Sequence, residues 1–218
     1  MEDKLSVLKT EGICKITKSK MSIEEFESFC KSFLKIVKLL PDDPNVIRVS
    51  KDQVFGVSDM PWHFEGPWFN DDIITVTYNH KNCEKFPTEF INTNKVVEKY
   101  CKDIDYFKNI KVVLKNWGRI KSDEYKEVNV LQERDGKHYL FIHPKYTKNV
   151  LNDTKDLYRD LISKFEERDE DIENMKYTPE LNQYDILIYD NSKIIHTRPK
   201  NLSDAPFDRE LWRVTGIL

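Results

Sequence analysis

The sequence predicts a mainly β protein with flanking helices, and the order of its elements supports that class. Strand-like runs begin in the first third of the chain, at 45–57, and resume at its end, at 185–189 and 209–218. Helical spacings lie between these strands. Strands from both ends of a chain that enclose inserted helices favour a closed or double-sheet architecture, and a double-stranded β-helix, or jelly roll, fits this order best.

The length and composition bound the class of protein. A chain of 218 residues, 39% hydrophobic and 33% charged, can bury its own core, and we expect one domain over residues 1–218. The 35 basic and 38 acidic side chains are interspersed, so no basic field favours nucleic acid or an anionic membrane. Without a signal peptide or a long apolar run, we expect a cytoplasmic protein with a small-molecule substrate, and the oligomeric state stays open.

Helix signals mark three segments. Ser22 and Glu25 form a capping box, and apolar residues at helical spacing then predict a helix over about 23–40. A second helix is predicted within 88–104. A third periodic stretch predicts a helical insert over about 152–172.

Two strand signals are clear. Residues 73–78, Ile-Ile-Thr-Val-Thr-Tyr, are rich in β-branched side chains and predict a core strand. Asp135-Gly136 lies between strand-like runs at 127–133 and 137–143. This dipeptide favours a type I′ turn, so we expect a β-hairpin there.

His63 and Glu65 are candidate metal ligands because residues two apart in an extended strand point to the same side. Two histidines and one carboxylate on one face of a metal form the facial triad of non-heme Fe(II) oxygenases. The tripeptide alone is common by chance, and a distant histidine is needed. Among the five histidines, His196 has suitable surroundings, after a strand and a tight turn. We interpret His80 and His143 as hydrogen-bonded loop residues.

The last segment carries two arginines that could bind an anion. In a strand over 209–218, Arg209 and Arg213 face one side, and Trp212 and Val214 face the other. Buried guanidinium groups need anionic partners and bind carboxylates in a bidentate manner. A dicarboxylate such as 2-oxoglutarate would supply such a partner. The alternative is a strand whose arginines are solvated.

Five segments in this order resemble a known family. They are Trp62-His63-Phe64-Glu65, Phe86–Phe90, Gly136–Pro144, Tyr184–His196 and Arg209–Gly216. Together they resemble the taurine dioxygenase (TauD/TfdA-like) group of Fe(II)/2-oxoglutarate-dependent dioxygenases, which is related to clavaminate synthase. The resemblance covers most of the chain from about residue 58. It implies a clavaminate synthase-like jelly roll in which His63, Glu65 and His196 bind the iron.

The resemblance also implies a cosubstrate site. Thr88 and Arg209 would bind the distal carboxylate of 2-oxoglutarate, whereas Arg213 would meet either a substrate anion or the other end of the cosubstrate. Two departures stand out. Glu65 replaces the commoner aspartate, and Tyr184 stands where the family often has glycine. These changes bear on the identity of the substrate.

The activity implied is hydroxylation. Three protein ligands leave iron positions for 2-oxoglutarate and O2, so oxidation of a small polar substrate, such as an amino acid or a sulfonate, would release succinate and CO2. Glu65 disfavours halogenation, since related halogenases have a small residue in place of the carboxylate. One alternative is a zinc-dependent hydrolase, because two histidines and a glutamate also bind catalytic zinc. Another is a non-catalytic metal-binding β-barrel module.

Overall fold

The computed structural model describes residues 2–36, 46–49, 60–64, 73–81, 88–115, 125–143, 147–198 and 210–218. The helices are α1 (Glu2–Glu11), α2 (Ile23–Lys31), α3 (Thr93–Tyr100), α4 (Ile104–Asn109), α5 (Leu157–Glu167) and α6 (Glu170–Glu173). The strands are β1 (Ile13–Ile16), β2 (Lys35–Ile36), β3 (Val46–Val49), β4 (Met60–His63), β5 (Ile73–Lys81), β6 (Glu89–Asn92), β7 (Lys111–Lys115), β8 (Tyr125–Asn129), β9 (Leu131–Arg134), β10 (Lys137–Leu140), β11 (Thr147–Leu151), β12 (Ile186–Asp190), β13 (Ile194–Arg198) and β14 (Glu210–Ile217). In these ranges no helix is both long and apolar enough for a membrane span. The predicted class, mainly β with helices, is confirmed.

The strands within the described ranges form four antiparallel sheets. The major sheet has the order β1-β12-β5-β14-β2, and β3 pairs with β14 as well. The minor sheet has the order β4-β13-β6. A third sheet joins β11, β7 and β8, and a hairpin joins β10 and β9. The centre of the major sheet therefore combines β5, from the first half of the chain, with two strands from its end.

Both faces of β12 are buried, and this places the two main sheets against each other. Ile186 and Ile188 enter a core shared with α1 and α2. The alternate residues, Leu187 and Tyr189, form a different core with Phe90 of the minor sheet. Because side chains alternate along a strand, β12 contacts the helices on one side and the minor sheet on the other.

The outer face of the minor sheet packs on α5. The rings of Trp62 and Phe165 meet edge to face with their centroids 6.4 Å apart. Ile91 and Ile195 join the same core from the neighbouring strands. Trp62 is thus a core residue, and the residues that alternate with these side chains face the major sheet.

The helix predicted over 23–40 is shorter in the structure. The capping box of Ser22 and Glu25 is formed, with hydrogen bonds of 3.2 and 2.7 Å. The helix ends at Lys31, however, and Lys35–Ile36 pair with the end of β14 instead. Pairing with a distant strand has overridden the local periodicity. The last four residues of the predicted helix lie outside the described residues.

The helix predicted within 88–104 was wrong at its start. Glu89–Asn92 form a strand that pairs with β13, and the helix begins only at Thr93. Asn92 ends the strand and caps the helix, since its side chain accepts a hydrogen bond of 3.0 Å from the amide of Asn94. The apolar residues of β6 bury their side chains in a sheet rather than along one face of a helix.

Two other local predictions are confirmed. The hairpin of β9 and β10 turns at Asp135 and Gly136, whose φ angles of 51° and 72° suit a type I′ turn. The predicted insert contains α5 and α6. The carboxylate of Asp153 caps α5 by accepting hydrogen bonds from the amides of Tyr158 and Arg159, at 3.1 and 3.0 Å.

Three of the four cysteines are buried thiols. Burial raises the pKa of Cys14 to about 11 and the pKa of Cys30 and Cys101 to about 12. These thiols stay protonated at neutral pH and are poor nucleophiles. Cys83 lies outside the described residues.

Tyr184 has a left-handed backbone, with a φ of 74°. Its amide donates a hydrogen bond of 2.7 Å to the carbonyl of Asn79, which fixes this bend at the start of β12. Its ring stacks on Tyr78 with a centroid separation of 6.1 Å. Glycine adopts this conformation without steric cost, whereas tyrosine does not.

We expect Tyr184→Gly to be more stable than Tyr184→Ala by about 1 kcal/mol, because both remove the ring but only glycine relieves the left-handed strain. Urea denaturation measures the difference. The same pair of substitutions at Tyr106, inside α4, should give the opposite order, since glycine weakens a helix. A glycine variant at position 184 that is no more stable than the alanine variant would contradict this account.

Candidate metal centre

His63 and His196 lie directly opposite each other on β4 and β13. Their ring centroids are 4.4 Å apart, and the ring planes are inclined by 51°. Both residues are buried, with exposures of 4% and 6%. Two imidazoles from distant parts of the chain are therefore held side by side by one backbone pairing.

The sequence around each histidine determines its direction. Trp62 and Phe64 lie in the core beneath α5, and the ring of Phe64 stacks on Phe141 at 5.6 Å. His63, between them in sequence, faces the other way. On β13, Ile195 joins the same core and His196 follows it. Apolar anchors on the outer face thus direct both imidazoles toward the major sheet.

The separation of these rings suits two ligands of one metal. Imidazoles that bind a metal at right angles, with metal–nitrogen distances of about 2.1 Å, have centroids about 4.5 Å apart. The observed 4.4 Å fits this arrangement. Over the described ranges, no three His, Cys, Asp or Glu side chains are grouped to hold a metal ion. Glu65, the third predicted ligand, lies outside those ranges.

Aromatic side chains surround His196. Tyr189, on the inner face of β12, lies 5.6 Å from it between ring centroids, and Phe90 lies 6.2 Å away. Phe90 and Tyr189 also contact each other at 5.3 Å. These rings shield one flank of the histidine pair from solvent.

The inner face of the major sheet beyond Tyr189 is polar. Tyr189 pairs with Thr75, and Thr75 pairs with Thr215 of β14. In the next row Leu187 pairs with Thr77, which pairs with Arg213. All three threonines are buried. Hydroxyl groups therefore line the interior wall that leads away from His196.

Arg213 belongs to this polar face. Its neighbours along β14, Trp212 and Val214, are buried in the core beneath α1 and α2. Alternation then places the half-buried Arg213 on the opposite side, in register with Thr77. Arg209 lies outside the described residues.

Thr88 lies immediately before β6 and is half-buried. The next residue, Glu89, has a buried carboxylate that accepts hydrogen bonds from Lys176 at 2.8 Å and from Arg168 at 3.3 Å. These ion pairs tie β6 to the segment around α6. Since Phe90 pairs with His196, Thr88 lies two residues before the position opposite that histidine.

His143 is nearer to the histidine pair than its interpretation as a loop residue indicates. It is buried, with 3% exposure, and its ring centroid lies 5.6 Å from that of His63. His80, by contrast, lies in β5 and not in a loop as predicted, and it stacks on Trp212 at 4.5 Å on the helix-covered side of the major sheet. The apolar residues Phe141 and Ile142 before His143 are the sequence signal that could have placed His143 inside the protein, and both are buried.

The turn between β12 and β13 is held by buried charges. Asp190 accepts hydrogen bonds from the amide and the hydroxyl of Ser192, at 2.9 and 2.5 Å. The ammonium of Lys193 lies 2.9 Å from Asp135 and 3.5 Å from Asp190. Burial alone would lower the pKa of Lys193, but these carboxylates raise it above its usual range. The charged lysine thus joins this turn to the β9–β10 hairpin.

Comparison with known proteins places this fold. No family model matches the sequence, and no curated protein does. Solved structures do match. A taurine dioxygenase from Burkholderia xenovorans has 16% identity and a TM-score of 0.65, over 94% of this chain and 76% of its own.

Two further structures are similar over nearly the whole chain. PvcB from Pseudomonas aeruginosa has 14% identity and a TM-score of 0.71, over 98% of this chain and 78% of its own. AAD-2, in complex with Mn(II) and N-oxalylglycine, has 13% identity and a TM-score of 0.70, over 99% of this chain and 86% of its own. The protein has the fold of the taurine dioxygenase group, as the resemblance implied. More particularly, it shares one chain architecture with taurine dioxygenase, PvcB and AAD-2.

We expect Lys193→Met to lower the free energy of unfolding by about 3 kcal/mol, because it leaves the buried carboxylate of Asp190 without its cation. Asp135→Asn should cost less than about 1 kcal/mol, since that carboxylate is exposed. Urea denaturation of both variants makes the comparison. Equal losses would show that the contact with Asp190 does not stabilise the turn.

Proposed function

We propose that this protein is an Fe(II)- and 2-oxoglutarate-dependent dioxygenase that hydroxylates a C–H bond of a small polar substrate and releases succinate and CO2. The observation that carries the proposal is the pair His63 and His196, 4.4 Å apart between ring centroids. This pair lies in a fold that PvcB shares, and PvcB is an Fe, alpha-ketoglutarate dependent oxygenase from an isonitrile synthetic pathway. The amino acids and sulfonates expected from the sequence are the leading substrates.

His63, Glu65 and His196 would hold the iron. The two imidazoles have a separation suited to neighbouring ligands, and Glu65 follows His63 by two residues, which in extended backbone directs both to one side. Bound iron with 2-oxoglutarate supplies the activation of O2 that C–H oxidation needs. The carboxylate at position 65 also supports hydroxylation over halogenation.

The cosubstrate would lie against the polar face of the major sheet. Arg213 and the buried Thr77 lie in one row of that face, and Arg209 precedes Arg213 by four residues, so a continuous strand would put both guanidinium groups on one side. Arginine binds carboxylates with two parallel hydrogen bonds. We assign Arg209 and Thr88 to the distal carboxylate of 2-oxoglutarate, and Arg213 to the cosubstrate or a substrate anion.

The neighbours of the histidine pair have a supporting role. Phe90 and Tyr189 pack around His196 and keep water from one flank of its ring. A drier site strengthens the interaction between charged groups and their ligands. The polar face of the major sheet can then orient an anionic cosubstrate, while Phe90 and Tyr189 limit the access of solvent.

The architecture follows from the same contacts. We infer a double-stranded β-helix, because the major and minor sheets pack face to face with the histidine pair on the inner side. We further propose a single cytoplasmic domain that acts on a small molecule rather than on nucleic acid or a membrane. The interspersed charges of the sequence support this assignment.

Anaerobic addition of Fe(II) and 2-oxoglutarate should give a weak visible charge-transfer band. The band should be lost in His196→Ala, because the chelate needs both imidazoles. His80→Ala is the matched control, since His80 stacks on Trp212 away from the pair, and it should keep the band. Absorption spectroscopy makes the test, and a normal band in His196→Ala would refute the ligand set.

Arg209→Ala should weaken the binding of 2-oxoglutarate by about 10-fold to 100-fold, the loss expected for a charged hydrogen-bonded pair. Titration of the same band with 2-oxoglutarate measures this affinity. Arg159→Ala removes a surface arginine of α5 and should leave the affinity unchanged. An Arg209 variant with the affinity of the wild type would remove Arg209 from the cosubstrate site.

A further inference from the structure

His143 is a buried imidazole to which the proposed function gives no role. Its exposure is 3%, and its ring centroid lies 5.6 Å from that of His63, with the planes inclined by 54°. His63 also contacts His196 at 4.4 Å. His63 is therefore the ring with which both other imidazoles are in contact.

The backbone fixes the position of His143. Its carbonyl accepts hydrogen bonds from the amide and the hydroxyl of Thr147, at 3.0 and 2.8 Å. The two preceding residues, Phe141 and Ile142, are fully buried, and the amide of Phe141 donates a hydrogen bond of 2.7 Å to Val130. The imidazole is thus held beside His63 by the buried residues that precede it and by the hydrogen bonds from Thr147.

Core packing alone does not account for a histidine at this position. Phe141 lies 6.4 Å from His143 between centroids, and the ring of Phe64 stacks on Phe141. An apolar side chain would fill the space among these rings without burying two polar nitrogens, and buried nitrogens require hydrogen-bond partners. The polarity of His143 is the property that needs a function.

The separation of His143 and His63 is close to that of a hydrogen-bonded pair. Two imidazoles joined by an N–H···N bond of about 2.9 Å have centroids slightly more than about 5 Å apart. The observed value is 5.6 Å. A histidine that binds a metal through one ring nitrogen usually donates a hydrogen bond from the N–H of its other nitrogen, which fixes the orientation of the ring. In the part of the chain that the structure describes, His143 forms no three-ligand group with the pair.

We propose that His143 is a positioning residue for the metal centre. Its imidazole accepts a hydrogen bond from the N–H of His63 that does not face the metal. This bond holds the His63 ring in the orientation that binds the metal. The proposal rests on the proposed function only in taking His63 and His196 as ligands.

Co(II) binding to the metal-free protein tests this inference without any substrate. The visible absorption of bound Co(II) reports both affinity and ligand geometry. His143→Phe should weaken Co(II) binding by about 10-fold to 100-fold, the loss typical of a missing partner of a metal ligand, and should shift the spectrum. His143→Gln should stay near the wild-type affinity, because its carboxamide can replace the hydrogen bond. His138→Phe, on the β9–β10 hairpin, is the matched control and should bind as the wild type does.

Three results would overturn the proposal. His143→Phe could bind Co(II) with the affinity and spectrum of the wild type, or His143→Gln could be as weak as His143→Phe, which would make the effect one of shape. Circular dichroism shows whether His143→Phe folds, and His143→Leu replaces it if it does not. If neither variant folds, His143 is required for folding and the proposal fails. Failure of the proposed function is separate, because Co(II) binding would then survive His196→Ala.

Discussion

The pairing of β4 with β13 is the constraint on which the candidate site depends. It brings His63 opposite His196, and β6 supports the far side of β13. A shift of this register by one residue would exchange the faces of the strand and direct His196 into the core beneath α5. The buried Trp62 and Ile195 oppose such a shift, because it would move them out of that core. Apolar packing on the outer face thus maintains polar chemistry on the inner face.

The interior between the two sheets differs from the layers outside it. Helices α1 and α2 cover the major sheet with an apolar core, and α5 does the same for the minor sheet. Between them lie Thr75, Thr77 and Thr215, with the histidine pair across the gap. Buried polar groups cost free energy unless they find partners. The two outer apolar cores stabilise the fold. Their stability permits polar side chains in the interior, where a ligand site needs them.

The sequence predicted the structural features that depend on interactions between residues close together in the chain. The hairpin turn at Asp135 depends on backbone preferences of two residues, and the capping box at Ser22 on a span of four. The end of α2 and the strand at Glu89–Asn92 were missed because each depends on pairing with a strand far along the chain. His143 was missed for the same reason, since its neighbour His63 is remote in sequence. His63 and Glu65 were proposed as ligands because their spacing reflects strand alternation, and His196 because it follows a strand and a tight turn.

The topology also determines when the site can exist. His63 and the strand β5 are synthesised long before β12, β13 and β14, with which they pair. Contacts between such distant segments carry a large loop-closure entropy and slow the folding of a chain. A ribosome-bound chain that stops before β13 has one of the two imidazoles. Metal binding by the proposed pair would therefore follow the synthesis of β13, and it could not guide the early steps of folding.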